Sequence, residues 1–182
     1  MIRRSELARA QKQAVEILAN VGVVLRPDEL EKIEAADFGL SELWISGVQI
    51  LTLVDTEYIA VKLLVMFPGQ TEPEHLHPPR GRDPGKEETI RCEWGEVYVY
   101  GPGEPSPTPA CMPPEHRRHT YNVWKEYHLL PGQQVTFQPN TPHWFQAGDQ
   151  GCVIWSFSTK AVDISDIFTD TDIDRATVIE DD

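Results

Sequence analysis

Cysteine is scarce in this chain: Cys92, Cys111 and Cys152 are an odd count of three, with no CxxC spacing. Neither a disulfide framework nor a thiolate zinc cluster can organise such a protein. Cys92 and Cys152 fall in strand-like runs, where a free thiol acts as a small apolar side chain, and a reducing, cytoplasmic setting is the expectation. Long apolar runs are missing as well. Nothing approaches the roughly 18 consecutive residues of a membrane span, and Met1-Ile2-Arg3-Arg4-Ser5-Glu6 opens a charged segment, so a secretory signal is not expected. Positive charge is short: 16 Lys and Arg stand against 29 Asp and Glu, a formal net charge of −13. A surface of that sign repels phosphate backbones and anionic lipid, which argues against nucleic acid and membrane partners. There is no low-complexity tract and no internal repeat. What remains, 182 residues of which 40% are hydrophobic and 25% charged, reads as one globular domain over 1–182.

Residues 3–20 read as an amphipathic helix, with Leu7, Ala10, Ala14, Ile17 and Leu18 at helical spacing and Asn20 to Gly22 as the stop. A second helix is expected from Pro27-Asp28-Glu29, ending by Gly39, because proline suits a first turn and the acids suit the positive end of the helix dipole. Both helices, within 1–40, should pack on the outside of the remaining domain or against a partner subunit. From there the pattern changes to short runs rich in Val, Ile, Tyr, Phe and Trp: 48–54, 58–67, 71–77, 88–94, 96–100, 126–130, 134–138, 143–147 and 152–159. Pro-Gly turns separate them, and no helix intervenes, which points to an antiparallel sandwich or barrel over 41–160. The stretch 101–119 is too rich in proline for a sheet interior and reads as a surface loop. An acidic tail, 161–182, closes the chain.

The chemistry centres on Glu74-His75-Leu76-His77. Side chains alternate along a strand, so His75 and His77 point the same way and both imidazoles can reach one ion. Thr71 and Pro73 share their face, while Glu72, Glu74 and Leu76 point away. An HxH pair alone is common; two further residues give it meaning. Glu88 shares a face with Ile90, Cys92 and Trp94, an interior set, whereas Glu87, Thr89, Arg91 and Glu93 form a solvent set. A carboxylate at the head of an interior face needs a partner, and a metal supplies one. His143 is delivered by the turn Pro139-Asn140-Thr141-Pro142 at the head of an apolar strand. Three imidazoles and one carboxylate suit a divalent Mn, Fe, Co, Ni or Zn with positions left open for substrate. His116, His119 and His128 are left outside this set.

HxH, a later Glu and a distant His after a Pro-Gly turn resemble the two half-motifs of the cupin superfamily. The long insert Pro78 to Thr89 is more specific. Together with Val123-Trp124-Lys125-Glu126, and with Pro131-Gly132-Gln133-Gln134 through Pro139-Asn140-Thr141-Pro142-His143-Trp144-Phe145-Gln146-Ala147-Gly148, it resembles the D-lyxose isomerase family of cupin sugar isomerases over residues 40–170. The resemblance implies a mainly β fold, a double-stranded β-helix jelly roll carrying the N-terminal helices. It also implies a homodimer, a sugar substrate and one divalent metal per chain, typically Mn, inside the barrel. One departure stands out. Where the family's strand after the last metal histidine carries a Glu given a role in proton transfer, this chain has Ser156, and a hydroxyl cannot act as a base at neutral pH. Asp163 or Asp166 is the nearby substitute.

The reaction so implied converts D-lyxose to D-xylulose, or D-mannose to D-fructose, by way of a metal-chelated enediol. Lys62 is the candidate catalytic residue: it sits in mid-strand on a face shared with Leu64 and Met66, and it would protonate or stabilise the enediolate oxygen. Arg80, Lys86 and Trp144 are candidate substrate contacts, with Phe145, Tyr98 and Trp94 as further faces for sugar C–H groups. Two other readings use the same ligands: a non-haem iron cupin dioxygenase, favoured by a mainly apolar pocket, and a sugar-binding cupin without turnover, for which Ser156 argues.

Overall fold

A computed structural model describes residues 1–182. Strand β1 (Ile2–Arg3) leads into helix α1 (Arg4–Asn20), whose Ala10, Ala14 and Leu18 are fully buried at four-residue spacing, as the helical period requires. The helix closes where Gly22 adopts φ +84° and the Val23 N–H returns to the Leu18 carbonyl at 2.9 Å, a left-handed stop that favours glycine. The second expected helix needs correction. α2 (Pro27–Leu30) is a single turn, and Glu34–Ala36 forms strand β2 antiparallel to β3 (Val48–Asp55). Residues 31–36 are good helix formers, yet Ile33, Ala35 and Ala36 are buried in an extended run beside β3, and packing overrides local preference.

The remaining strands are β4 (Ile59–Met66), β5 (Thr71–Leu76), β6 (Glu88–Gly101), β7 (Lys125–Leu129), β8 (Gln134–Phe137), β9 (His143–Thr159), β10 (Ile167–Phe168) and β11 (Ile179–Glu180). Two expected pairs of strands are each continuous. The runs 88–94 and 96–100 are one strand, β6, and 143–147 and 152–159 are one strand, β9. These two pair antiparallel from Glu88 opposite Ser158 to Tyr100 opposite Trp144. Both bend midway, with register shifts on either side of Trp94 and Gly95. Gly95 (φ +70°) approaches β9 so closely that a Cβ there would lie 2.1 Å from the Gly151 carbonyl oxygen. Bulges of this kind turn a strand from one layer into another. On its far side β9 pairs with β5 in its first part and β4 in its second, while β8 and β7 flank the two parts of β6. With β3 and β2 beyond β4, and β10 beyond β5, the sheet curls into a jelly-roll barrel of cupin type.

Inside the barrel, residues such as Ile50, Leu64, Met66, Ile90 and Ile154 form the larger core. Leu51, Leu63, Val65 and Val153, on the opposite face, are covered by α1. No helix is long and apolar enough to cross a membrane. The cysteines are free, Cys92 and Cys152 buried in the barrel wall.

The acidic C-terminal segment is built into the fold. After a 3-10 turn (Asp163–Ser165), β10 pairs with β5 through Phe168 opposite His75, and β11 pairs parallel with β1. Glu74 is the clamp. It turns outward from the barrel but is buried, and its carboxylate accepts hydrogen bonds from the Asn122 N–H at 2.6 Å, the Val123 N–H at 2.9 Å and the Thr169 hydroxyl at 2.6 Å. One side chain thus fastens both the proline-rich loop and the C-terminal arm to β5. Hydrogen bonds to a charged group are worth about 1.5–3 kcal/mol each. Glu74→Gln keeps the size and loses the charge; we expect a loss of about 2–3 kcal/mol, read by circular dichroism as a melting temperature lower by roughly 4–10 °C. The exposed control Glu87→Gln should change stability by less than about 0.5 kcal/mol.

Candidate metal centre and pocket

β5 and β9 lie side by side with His75 directly opposite His143. The turn that ends at His143 is held to the end of β5 by the Asn140 N–H, which donates to the His77 carbonyl at 2.9 Å. Glu88, the first residue of β6, enters from the other side, pairing with Phe137 and Ser158. The four expected residues therefore meet. One donor atom from each of His75, His77, Glu88 and His143 lies within 4.8 Å of the others, and all four residues are buried.

Their outer contacts set the chemistry of the inner atoms. The Nδ1–H of His75 donates to the Pro73 carbonyl at 2.9 Å, and that of His143 to the Thr141 carbonyl at 2.9 Å. Each ring is fixed with its Nε2 lone pair toward the centre, the arrangement typical of metal-bound imidazoles. Nε2 of His143 is buried with no hydrogen-bond partner. Burial lowers the pKa of both His75 and His143, in His75 with help from the His143 ring. Neutral rings are what a metal takes as ligands. His77 lies between two carboxylates, Asp166 at 2.8 Å from Nδ1 and Glu88 at 2.9 Å from Nε2. Burial would lower its pKa, but these two partners outweigh burial and raise it; a proton on Nε2 stands where a cation would. Glu88 is held well below the usual carboxylate range: burial opposes ionisation, and Lys86, His143 and His77 overcome it. The donor set fits a divalent ion. First-row metal–ligand bonds of roughly 2.0–2.2 Å need only small side-chain adjustments from this arrangement.

Around the four lies a polar cavity lined by Lys62, Glu72, Lys86, Ser156, Asp163, Asp166 and Arg175, with Ile50, Leu64, Phe145 and Phe168 as its apolar wall. Lys62 faces inward with Leu64 and Met66, as alternation along β4 requires, and pairs with Asp163. Lys86 is buried, 3.2 Å from Glu88 and 3.8 Å from Asp163; these acids keep it protonated against the burial that would discharge it. The Ser156 hydroxyl donates to the Glu88 carboxylate. Arg80 sits at the rim, 2.9 Å from Asp83 and 3.0 Å from the Ser165 hydroxyl, where it braces the C-terminal arm.

Two sets of expectations are overturned, one for the aromatic faces and one for Glu72. Trp144 does not face the site. His143 points inward, so the next residue of β9 points outward, and Trp144 is fully buried beneath the proline-rich loop, stacked on Tyr100 at 3.9 Å. Trp94, turned by the bulge in β6, packs with the outer cluster, and Tyr98 stacks on His128; only Phe145 of the four aromatic candidates lines the cavity. The second correction concerns Glu72, expected to point away. The register of β5 shifts between Glu72 and His75, which breaks strict alternation and turns Glu72 inward, its carboxyl 3.9 Å from His75 Nε2. Burial, reinforced by the charge of Glu88, pushes its pKa up to about 8. Pro73 was the available signal, since proline inside a strand marks an edge or a bulge. Arg175, which reaches the cavity from the C-terminal arm, has no signal in the sequence.

No protein-family model matches the chain. It is similar along its full length to curated proteins. It is 47% identical over 181 residues to the D-lyxose/D-mannose isomerase of Thermosediminibacter oceani, covering 100% of both chains. It is 45% identical over 179 residues to the D-lyxose ketol-isomerase of Cohnella laeviribosi, covering 98% of both. Among solved structures, the L-ribose isomerase of Cellulomonas parahominis superposes with a TM-score of 0.80 at 16% identity, covering 98% of both chains, a likeness of fold. Identity near half over the entire length, with the buried His/Glu cluster in place, means that the chain belongs to the D-lyxose isomerase family.

Proposed function

We propose that this protein is a metal-dependent aldose–ketose isomerase that converts D-lyxose to D-xylulose, with D-mannose to D-fructose as the related reaction. The observation that carries this reading is the joining of His75, His77, Glu88 and His143 to a cavity whose lining is mostly charged. A polyhydroxylated substrate suits such a lining. A non-haem iron dioxygenase of apolar substrates does not.

His75, His77, Glu88 and His143 would hold the ion, and a carboxylate beside three imidazoles, with oxygen-rich substrate at the remaining positions, favours Mn over softer choices. When bound, it supplies Lewis acidity toward the two substrate oxygens. The residues of the chain do the rest. Lys62 and Lys86 bring two buried cationic side chains to the cavity, which would stabilise negative charge on a substrate oxygen, and Lys62 would give that oxygen a proton. Asp163 holds Lys62 in place. Asp166 orients His77 through Nδ1. The free space enclosed by these groups is about 30 Å³, room for one small ion or water, so a pentose needs some of the lining side chains to move. Arg80, at the rim and engaged with Asp83 and Ser165, would meet sugar hydroxyls on entry.

A homodimer belongs to the same proposal. Leu53, Phe157 and Val24 leave an exposed apolar strip, with Trp155 between them, on the outer side of the sheet. Buried free cysteines accord with a cytoplasmic setting.

The direct test mixes the Mn²⁺-loaded protein with D-lyxose in D₂O and follows proton NMR. D-xylulose should appear and a chelator should stop it; a chain that binds one metal and makes no ketose from lyxose or mannose would sink the proposal. Lys62→Met should lower kcat by roughly 10²–10⁴-fold with metal content unchanged, while Glu88→Gln should lose the metal itself, as measured by elemental analysis. Sedimentation should give twice the chain mass, and Phe157→Glu should shift it toward the monomer.

A further inference from the structure

The cavity contains a carboxylate that neither the metal centre nor the lysine pair employs. Glu88 is engaged by His77, Lys86 and Ser156. Asp163 pairs with Lys62 through Oδ2, which also has Arg175 at 3.8 Å, while its Oδ1, buried without a hydrogen bond, faces Lys86 at 3.8 Å. Asp166 is engaged by His77. Glu72 has no such partner: its Oε2 is buried and accepts no hydrogen bond, and no lysine or arginine pairs with it, the His75 ring at 3.9 Å from Oε1 being its ion-pair contact. A buried polar atom without a partner costs about 1–3 kcal/mol, and a fold that tolerates one invites a reason. Glu72 was also brought there at a structural cost, through the register shift in β5 around Pro73.

A second observation concerns Ser156. It occupies the place of the carboxylate to which the resemblance gives proton transfer, and its hydroxyl is committed to Glu88. That position supplies no base. Ser156 and Glu72 nevertheless line the same cavity. Asp163 and Asp166 are poor substitutes, because each is occupied in holding a cation or an imidazole.

We propose that Glu72 is the catalytic residue that carries the proton between C2 and C1 of the sugar, taking over the role that Ser156 cannot fill. This inference rests on the isomerase reading. In the forward direction the Glu72 carboxylate takes the proton from C2 of the open-chain aldose. The C2–H electron pair becomes the C1–C2 double bond, and the carbonyl pair moves to O1, which takes a proton from the Lys62 ammonium. The O2–H then returns a proton to the Lys62 amine as its electron pair forms the C2 carbonyl. The C1–C2 pair takes the proton from Glu72 at C1. Both side chains end as they began, and the sugar is a ketose.

The test compares wild type, Glu72→Gln and Glu72→Asp, each loaded with Mn²⁺, for metal content, melting temperature, kcat and KM. Glu72→Gln is isosteric with the buried, unpartnered carboxyl, so it should fold with a melting temperature close to wild type. We expect one metal per chain, KM within about threefold and kcat down at least about 100-fold, the scale of a lost general base. Glu72→Asp, which keeps a carboxylate, should exceed Glu72→Gln at least tenfold. Near-normal kcat in Glu72→Gln would overturn the proposal, as would equal losses in both variants. Loss of metal from Glu72→Gln would make Glu72 a ligand and overturn it too. Failure of the wild type to form ketose is a separate result, which removes the isomerase reading itself.

Discussion

Glu88 places a full negative charge at the first residue of β6, in the interior of a barrel whose next inward residues are Ile90 and Cys92. A charge taken that far from water costs several kcal/mol even after relaxation, and much of the surrounding structure can be understood as its compensation. His77 and Lys86 lie within 3.2 Å of it, Ser156 donates to it, and His143 faces it at 3.7 Å. The backbone follows from these needs. His77 and His143 are brought to Glu88 because β5 and β9 are neighbours, and Lys86 because the 78–87 loop folds back. Gly85 (φ +98°) lets this loop lie so close to β5 that a Cβ would sit 2.6 Å from the His77 carbonyl oxygen.

Compensation extends outward in alternating signs. Behind His77 stands Asp166, behind Lys86 stands Asp163, and behind Asp163 stand Lys62 and Arg175, the latter 2.6 Å from Glu34. Asp163, Asp166 and Arg175 all belong to the C-terminal arm, so the acidic end of the chain forms one wall of the site. In a network of this kind each charge has its opposite within a few ångströms, and the low local dielectric strengthens every pair. Glu72 is the exception, which is why it stands out as chemistry and the others as architecture.

Much of this was legible in the residue order. Alternation separated Glu88 from Glu87, because a strand with one buried face cannot shift by a residue without exposing its core; it put Lys62 on one face with Leu64 and Met66 but left both faces of that strand apolar, and only the family resemblance favoured an interior role. It failed where the strands are not regular. The bulge in β5 brought Glu72 inward, and the bulge in β6 carried Trp94 to the outer face. Trp144 shows a different lapse: the same rule that turned His143 inward required its neighbour to face out. The second helix failed for want of long-range information, since residues 31–36 favour a helix locally and only the edge of β3 makes them a strand.

The sequence by itself determined the first helix and the run of strands after residue 47, the face on which each regular strand carries its chemistry, and the four residues able to hold an ion. These follow from local geometry, period two along a strand and 3.6 along a helix, which any stretch of a few residues already contains. Tertiary structure alone decided that β6 and β9 are continuous and bent, that the C-terminal arm closes the site with Asp163 and Arg175, and that Glu72 lies inside without a partner. Those facts depend on contacts between residues far apart in the chain, such as Lys62 with Asp163 and Ser156 with Glu88. No local period encodes them, because they exist only once the barrel has closed.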